Sequence, residues 1–187
     1  MNNKFAENHV ILGVGANLAG DFSSPKAACS TALEKLANAG VEITGRSPWY
    51  ESAPVPISDQ PWFVNGVVTV STVLAPTALL QLMLNIEAQM GRLRSVANAA
   101  RTIDLDLLSF GGMVSEDGEW PILPHPRLHQ RAFVVLPLAD LLPHWSHPKT
   151  GQSVANMKAN LPPDQEIRPI PKTNDLHGTE WRECPRI

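Results

Sequence analysis

The run Arg101-Thr102-Ile103-Asp104-Leu105-Asp106-Leu107-Leu108 sets one basic residue and two acids inside an otherwise apolar stretch. Ile103, Leu105 and Leu107 alternate with Thr102, Asp104 and Asp106, the period of a strand with one buried face. Both carboxylates then leave the same face, with Cα atoms about 6.5 to 7 Å apart at roughly 3.3 Å of rise per residue. Two carboxylates so spaced can share or bracket one or two hard cations, the arrangement used by metal-assisted phosphate chemistry. A sheet with a solvated acidic face has the same pattern, so the pair alone leaves both readings open.

The basic residues near this pair bear on the choice. Glu87, Arg92 and Arg94 cluster where a helix should end, and cations suit a helix C-terminus. With Arg101 they make three arginines flanking the acidic pair in sequence, and arginine forks onto phosphate oxygens while staying charged when partly buried. The stretch Leu123 to Phe133 packs His125, Arg127, His129, Arg131 and Phe133 between and after two prolines. Zinc would call on His125 and His129 with His144 and His147, but Pro126 opposes a helical His pair and no cysteine is near. A phosphate-facing loop with His125 and Arg131 as donors fits better. Asn65 lies in an apolar strand, where a buried amide needs partners; it serves either a structural contact or the edge of a heterocycle. Trp62, Phe63 and Phe133 are core residues or stacking platforms.

Several classes are excluded. The chain carries no Gly-x4-Gly-Lys-Ser/Thr phosphate loop, and Gly13-Val14-Gly15-Ala16-Asn17-Leu18 has Leu18 where a dinucleotide fingerprint needs its third glycine. Those glycines are expected in a tight turn. A net charge of −3 gives no general attraction to nucleic acid. No window approaches the apolar length of a membrane span, about 20 residues, and Met1 to Asn8 lacks the order of a signal peptide. Cys29 and Cys184 fit neither a disulfide framework nor a metal knuckle. A cytoplasmic protein with no nucleic-acid or membrane partner is expected.

The elements that must position these residues follow from pattern. His9 to Val14 reads as a buried strand. Ser24-Pro25 caps and starts a helix whose apolar face is Ala28, Leu33 and Leu36, stopped by Gly40. Val41 to Tyr50 is extended, the Pro-rich segment Ser52 to Pro61 is a loop, and Val64 to Leu74 is a strand. A second helix runs from Pro76 to Gly91. The Asp-x-Asp strand follows, then turns at Gly111-Gly112 and Asp117-Gly118, a loop from Pro124 to Arg131, and an apolar element from Ala132 to Leu142. The order β-α-β-β-α-β predicts an α+β fold, a ferredoxin-like split βαβ core with a mainly antiparallel sheet and flanking helices. The domain is expected over residues 1–160, with a Pro-rich, charged C-terminal tail of uncertain order over 161–187.

Taken together, these residues resemble the 6-hydroxymethyl-7,8-dihydropterin pyrophosphokinase family, whose members pass pyrophosphate from ATP to a pterin alcohol and leave AMP. The likeness runs from about Val10 to Leu142. It covers Gly-x-Gly-Ala-Asn-Leu at 13–18, Trp49-Tyr50-Glu51-Ser52, Asp59-Gln60-Pro61-x-Phe63-Val64-Asn65, Glu87-x3-Gly91-Arg92-x-Arg94, Arg101-Thr-Ile-Asp-Leu-Asp, Pro124-His125 and Arg131-x-Phe133. The resemblance implies two magnesium ions on Asp104 and Asp106, bridging the phosphates of ATP. It implies Arg92 and Arg101 as catalytic phosphate donors, and Glu87, Arg94, His125 and Arg131 as nucleotide-site residues. Asn65 would read the pterin edge and Phe133 stack on its ring, with Ser52, Ala53, Val55 and Phe63 completing the pocket. No activated nucleophile stands out, so the substrate hydroxyl is expected to attack phosphorus directly.

The chain departs from the family pattern in places. Ser95 to Ala100 stands where members usually carry Trp-Gly-Pro, Phe63 replaces a common Tyr, Pro126 replaces an aromatic or similar residue, and Trp120 replaces an arginine seen in some members. The expected protein is a monomeric enzyme, 2-amino-4-hydroxy-6-hydroxymethyldihydropteridine diphosphokinase by reaction. The alternatives are a non-catalytic nucleotide- or pterin-binding relative, and an interaction module using the tail.

Overall fold

The computed structural model describes residues 9–92 and 99–171. Six strands form one sheet: β1 (Val10–Ala16), β2 (Glu42–Arg46), β3 (Tyr50–Ser52), β4 (Phe63–Ser71), β5 (Asp104–Phe110) and β6 (Ile167–Pro169). The helices are α1 (Pro25–Asn38), α2 (Pro76–Gln89), α3 (Ala132–Leu141) and α4 (Val154–Ala159). The sheet order is β5-β1-β4-β3-β6, with β2 also on β4, and every pairing is antiparallel. Strand β4 sits between β1 and β2, and β1 between β4 and β5. Each β-α-β unit is therefore split by an inserted strand, as the sequence order predicts.

Local chemistry sets the helix ends. Ser24 accepts a hydrogen bond from Ala27 N at 3.1 Å, and Pro25 occupies the first position of α1. Ala28, Cys29, Ala32, Leu33 and Leu36 then recur on one buried face. Helix α2 also begins on a proline, and Gly91, at φ +81°, turns the chain away after it.

Both faces of the sheet are covered. Leu12, Val14, Leu105 and Leu107 pack with α1 and α2, whereas Ile11, Val67 and Leu108 pack with α3 and α4. Burial on two sides explains why α3 is apolar almost throughout and why Leu107 and Leu108 are both buried.

Several expectations need correction. The Gly13-x-Gly15 pair lies inside β1 rather than in a turn. The extended stretch 41–50 is two strands, because Ser47-Pro48-Trp49 breaks it: Ser47 N donates to Val67 O and Ser47 Oγ accepts from Val67 N. Strand β4 stops at Ser71, short of Leu74. No strand was expected in the Pro-rich C-terminal stretch, yet Ile167–Pro169 there form β6, which pairs Ser52 with Ile167 and Tyr50 with Pro169.

Candidate active site

One face of β1, β4 and β5 forms the floor of a cleft. Gly15 pairs with Asn65 on one side and Asp104 on the other, and Gly13 pairs with Val67 and Asp106. Side chains two apart share a face, so Asp104 and Asp106 stand together beside two glycines that leave the floor bare. A Cβ on Gly15 would come within 2.8 Å of the Asn65 side-chain oxygen. A side chain on this residue would have to push that oxygen out of its place. The cleft measures about 470 Å³, within the usual range for small-molecule sites.

At the acidic end, three arginines converge on three carboxylates. Arg92 bridges Glu87 and Asp104, Arg101 reaches Asp104 at 2.8 Å, and Arg131 reaches Asp106 at 3.2 Å. Glu87 is 1% exposed and accepts Leu105 N at 2.7 Å, which fixes the end of α2 to β5. Burial and the neighbouring Asp106 charge push the Asp104 carboxyl up from its ordinary range, while Arg92 and Arg101 pull it back. Three acids and three guanidiniums balance, so an added polyphosphate would need cations of its own.

His125 borders the same cleft. Its backbone N–H is held by Leu108 O, and its Nδ1 accepts from Arg127 N at 3.2 Å, which leaves Nε2 to carry the proton of the neutral ring. Burial lowers its pKa, opposed by Asp106 and aided by Arg131 and Arg127.

At the other end, Asn65 Nδ2 donates to Ser52 Oγ at 3.0 Å and more weakly to Phe63 O. Phe63 and Phe133 line the cleft, and each ring carries a guanidinium: Arg101 at 5.7 Å from the Phe63 centroid, Arg131 at 5.3 Å from that of Phe133. Ser52, Ala53 and Val55 complete the wall.

The structure therefore gathers Arg92, Arg101, Asp104, Asp106, His125, Arg131, Ser52, Ala53, Val55, Phe63, Asn65 and Phe133 around one cleft. Glu87 is buried behind it, and Arg94 lies outside the described residues, as does most of the altered 95–100 loop. The zinc candidates part company: His125 lines the cleft, His129 and His147 meet edge to face at 5.7 Å, and His144 is exposed.

Sequence reasoning assigned no role to Asn17, which is 2% exposed at the end of β1. Its Nδ2 donates to Pro61 O and Gln60 Oε1, and its Oδ1 accepts Arg101 N at 2.7 Å. It thereby ties the Pro-rich loop to the arginine beside Asp104. Its signals were its place in the Gly-x-Gly-Ala-Asn-Leu stretch and its polarity at the close of an apolar strand. Arg127, Pro162, Asp164 and Gln165 also line the cleft.

An antiparallel α+β sheet with paired carboxylates, clustered guanidiniums and an adjoining amide-and-aromatic pocket has the makings of a phosphotransferase. The family model for 7,8-dihydro-6-hydroxymethylpterin-pyrophosphokinase matches residues 11–143. A 2-amino-4-hydroxy-6-hydroxymethyldihydropteridine pyrophosphokinase from Methylorubrum extorquens is 40% identical over 133 residues, 71% of this chain and 81% of that protein. One of the same name from Synechocystis is 35% identical over 147 residues, 79% and 73% of the two chains. The folic acid synthesis protein fol1 of Pneumocystis carinii is 37% identical over 139 residues, 74% of this chain, which spans only 18% of that longer protein. A crystal structure of Plasmodium falciparum HPPK-DHPS shares the fold, with a TM-score of 0.61 at 16% identity over 82% of this chain and 44% of that one. The chain belongs to the 7,8-dihydro-6-hydroxymethylpterin-pyrophosphokinase family, whose reaction is the ATP-dependent transfer of pyrophosphate to the hydroxymethylpterin in folate biosynthesis.

Proposed function

We propose that the described cleft is where this chain carries out that transfer, with the polyphosphate of ATP over Asp104 and Asp106 and the pterin against Asn65. The observation that carries the reading is Gly15, which has Asp104 on one side and Asn65 on the other. Neighbouring strands are about 4.8 Å apart, so phosphate chemistry and heterocycle recognition adjoin across one bare strand.

Asp104 and Asp106 are hard oxygen donors, and among the described residues no third acidic, His or Cys side chain joins them as a ligand cluster. That set fits magnesium, which takes one or two carboxylates and completes its shell with phosphate oxygens and water. When bound, two such ions would neutralise charge on the transferred group. Arg92, Arg101 and Arg131 then exchange a carboxylate for phosphate oxygens, and His125 offers Nε2–H as a further donor. Asn65 Oδ1 carries no hydrogen bond among the described residues and is available to an amino edge of the pterin. The flat ring would lie between Phe63 and Phe133. With both substrates held, the alcohol oxygen attacks the β-phosphorus of ATP, the new O–P bond forms, and the α,β-bridging oxygen leaves with AMP.

All of these residues come from one chain, and the proposal takes the protein as a monomer. No helix among the described residues is long and apolar enough to cross a membrane. A cytoplasmic setting belongs to the same proposal; Cys29 is buried and free, as suits a reducing compartment. The test is the nucleotide product formed from ATP, magnesium and 6-hydroxymethyl-7,8-dihydropterin. AMP with a diphosphorylated pterin is expected. ADP would mean single phosphoryl transfer, and bound ATP without product would favour the non-catalytic relative.

A further inference from the structure

The two walls of the cleft are joined by a segment that the family match, ending at residue 143, does not reach. Helix α3 starts at Ala132 with no side-chain cap of its own. A first-turn N–H without an acceptor is costly where water is excluded. Gln165 supplies the acceptor: its Oε1 takes Ala132 N at 2.8 Å, and its Nε2 donates to Gln130 O at 2.7 Å. These two bonds enclose Arg131, which holds Asp106, and immediately precede Phe133, which lines the pocket. One residue on, Glu166 O accepts Ala53 N at 2.9 Å on the opposite wall, and β6 continues along β3 beside Ser52. The far end is anchored by Ile170, whose N donates to Trp49 O and whose side chain packs on the core.

We propose that Gln165 is a positioning residue for the pyrophosphoryl-transfer site, setting the placement of Arg131 and Phe133 from a C-terminal strap. The inference rests on the proposed function of the cleft. It requires an amide and no other group. One end must accept and the other donate, which glutamine does at any pH and a carboxyl group does only when protonated.

The experiment compares the full chain with Gln165→Ala and Gln165→Glu, reading kcat and KM for each substrate, pterin affinity by titration, and the thermal midpoint. Gln165→Ala is expected to lower kcat/KM for the pterin by about tenfold to a hundredfold, the scale of an ångström-sized misplacement, while the variant stays folded at the assay temperature. Gln165→Glu, when ionised, keeps an acceptor for Ala132 N but loses the donor to Gln130 O, so it is expected to lose several-fold at about pH 8 and to recover relative to wild type as pH falls into the carboxyl range, about 4 to 5. Gln165→Ala should not recover. A loss without that pH-dependent rescue would mark Gln165 as merely structural and overturn the inference. Unchanged kinetics and pterin affinity in both variants, with an active wild type, would overturn it and leave the function standing. A wild type that neither binds the pterin nor forms AMP would overturn the reading of the cleft and the inference with it.

Discussion

Gly15 and Asn65 face each other across β1 and β4, close enough that a Cβ on Gly15 would sit 2.8 Å from the Asn65 side-chain oxygen. The amide cannot simply swing aside, because its Nδ2 is held by Ser52 Oγ. Gly15→Ala should therefore displace Oδ1 and weaken pterin binding about tenfold, near the worth of one hydrogen bond. ATP affinity should stay within about twofold, since the arginines do not depend on Asn65. Separate calorimetric titrations of the two ligands decide it; equal losses would detach Gly15 from pterin recognition.

Asp106 has Arg131 as its partner and Asp104 two positions away on the same face. Asp106→Ala removes one carboxylate from the cation site and frees Arg131. Turnover should fall by about three decades, if one metal position is worth about 4 kcal/mol. Pterin affinity should change little. Steady-state rates with saturating magnesium would measure this, and a variant within about tenfold of wild type would remove Asp106 from the metal site.

The acidic pair was legible because strand alternation is local: Ile103, Leu105 and Leu107 announce the buried face and leave Asp104 and Asp106 opposite. Ser24 and Pro25 were legible for the same reason, since a cap acts within three residues. Gly13 and Gly15 were misread because glycine usually marks turns. The close approach at Gly15 comes from Asn65, distant in sequence and adjacent only across the sheet. Strand β6 escaped because three residues ending in Pro169 carry no period; its pairing with β3 joins positions more than a hundred residues apart. Asn17 lay inside a recognised motif, yet its partners at 60, 61 and 101 appear only once the sheet is assembled.

Glu87, buried behind the cleft, is a stability residue. Its carboxylate serves Leu105 N and Arg92 from a position 1% exposed. Glu87→Ala would leave a buried N–H and a partly buried guanidinium short of their acceptor, a loss of about 3 kcal/mol or more. Glu87→Gln keeps an acceptor for Leu105 and should cost less. Urea denaturation of both variants tests the order. An alanine variant with an unshifted midpoint would mean that water replaces the carboxylate there.

His147 gives the fold a pH dependence remote from the cleft. It is 4% exposed, and its Nδ1 accepts from Lys149 N and Thr150 N, an arrangement that needs this nitrogen unprotonated. Burial lowers its pKa, with His129 and Lys149 adding to the effect. The unfolded chain, titrating near 6.5, takes up the proton first, so the native state binds fewer protons in that window. Stability is then complete above about pH 6.5 and declines as pH falls through the lowered native value. The raised Asp104 carboxyl acts in the opposite sense, losing stability as pH rises above 3.8. A comparison of variants cancels it. His147→Asn keeps an acceptor near the position of Nδ1 but cannot titrate. Denaturation midpoints measured between about pH 8 and about pH 5 should slope less in that variant than in wild type. Parallel slopes would assign the acid sensitivity to other groups.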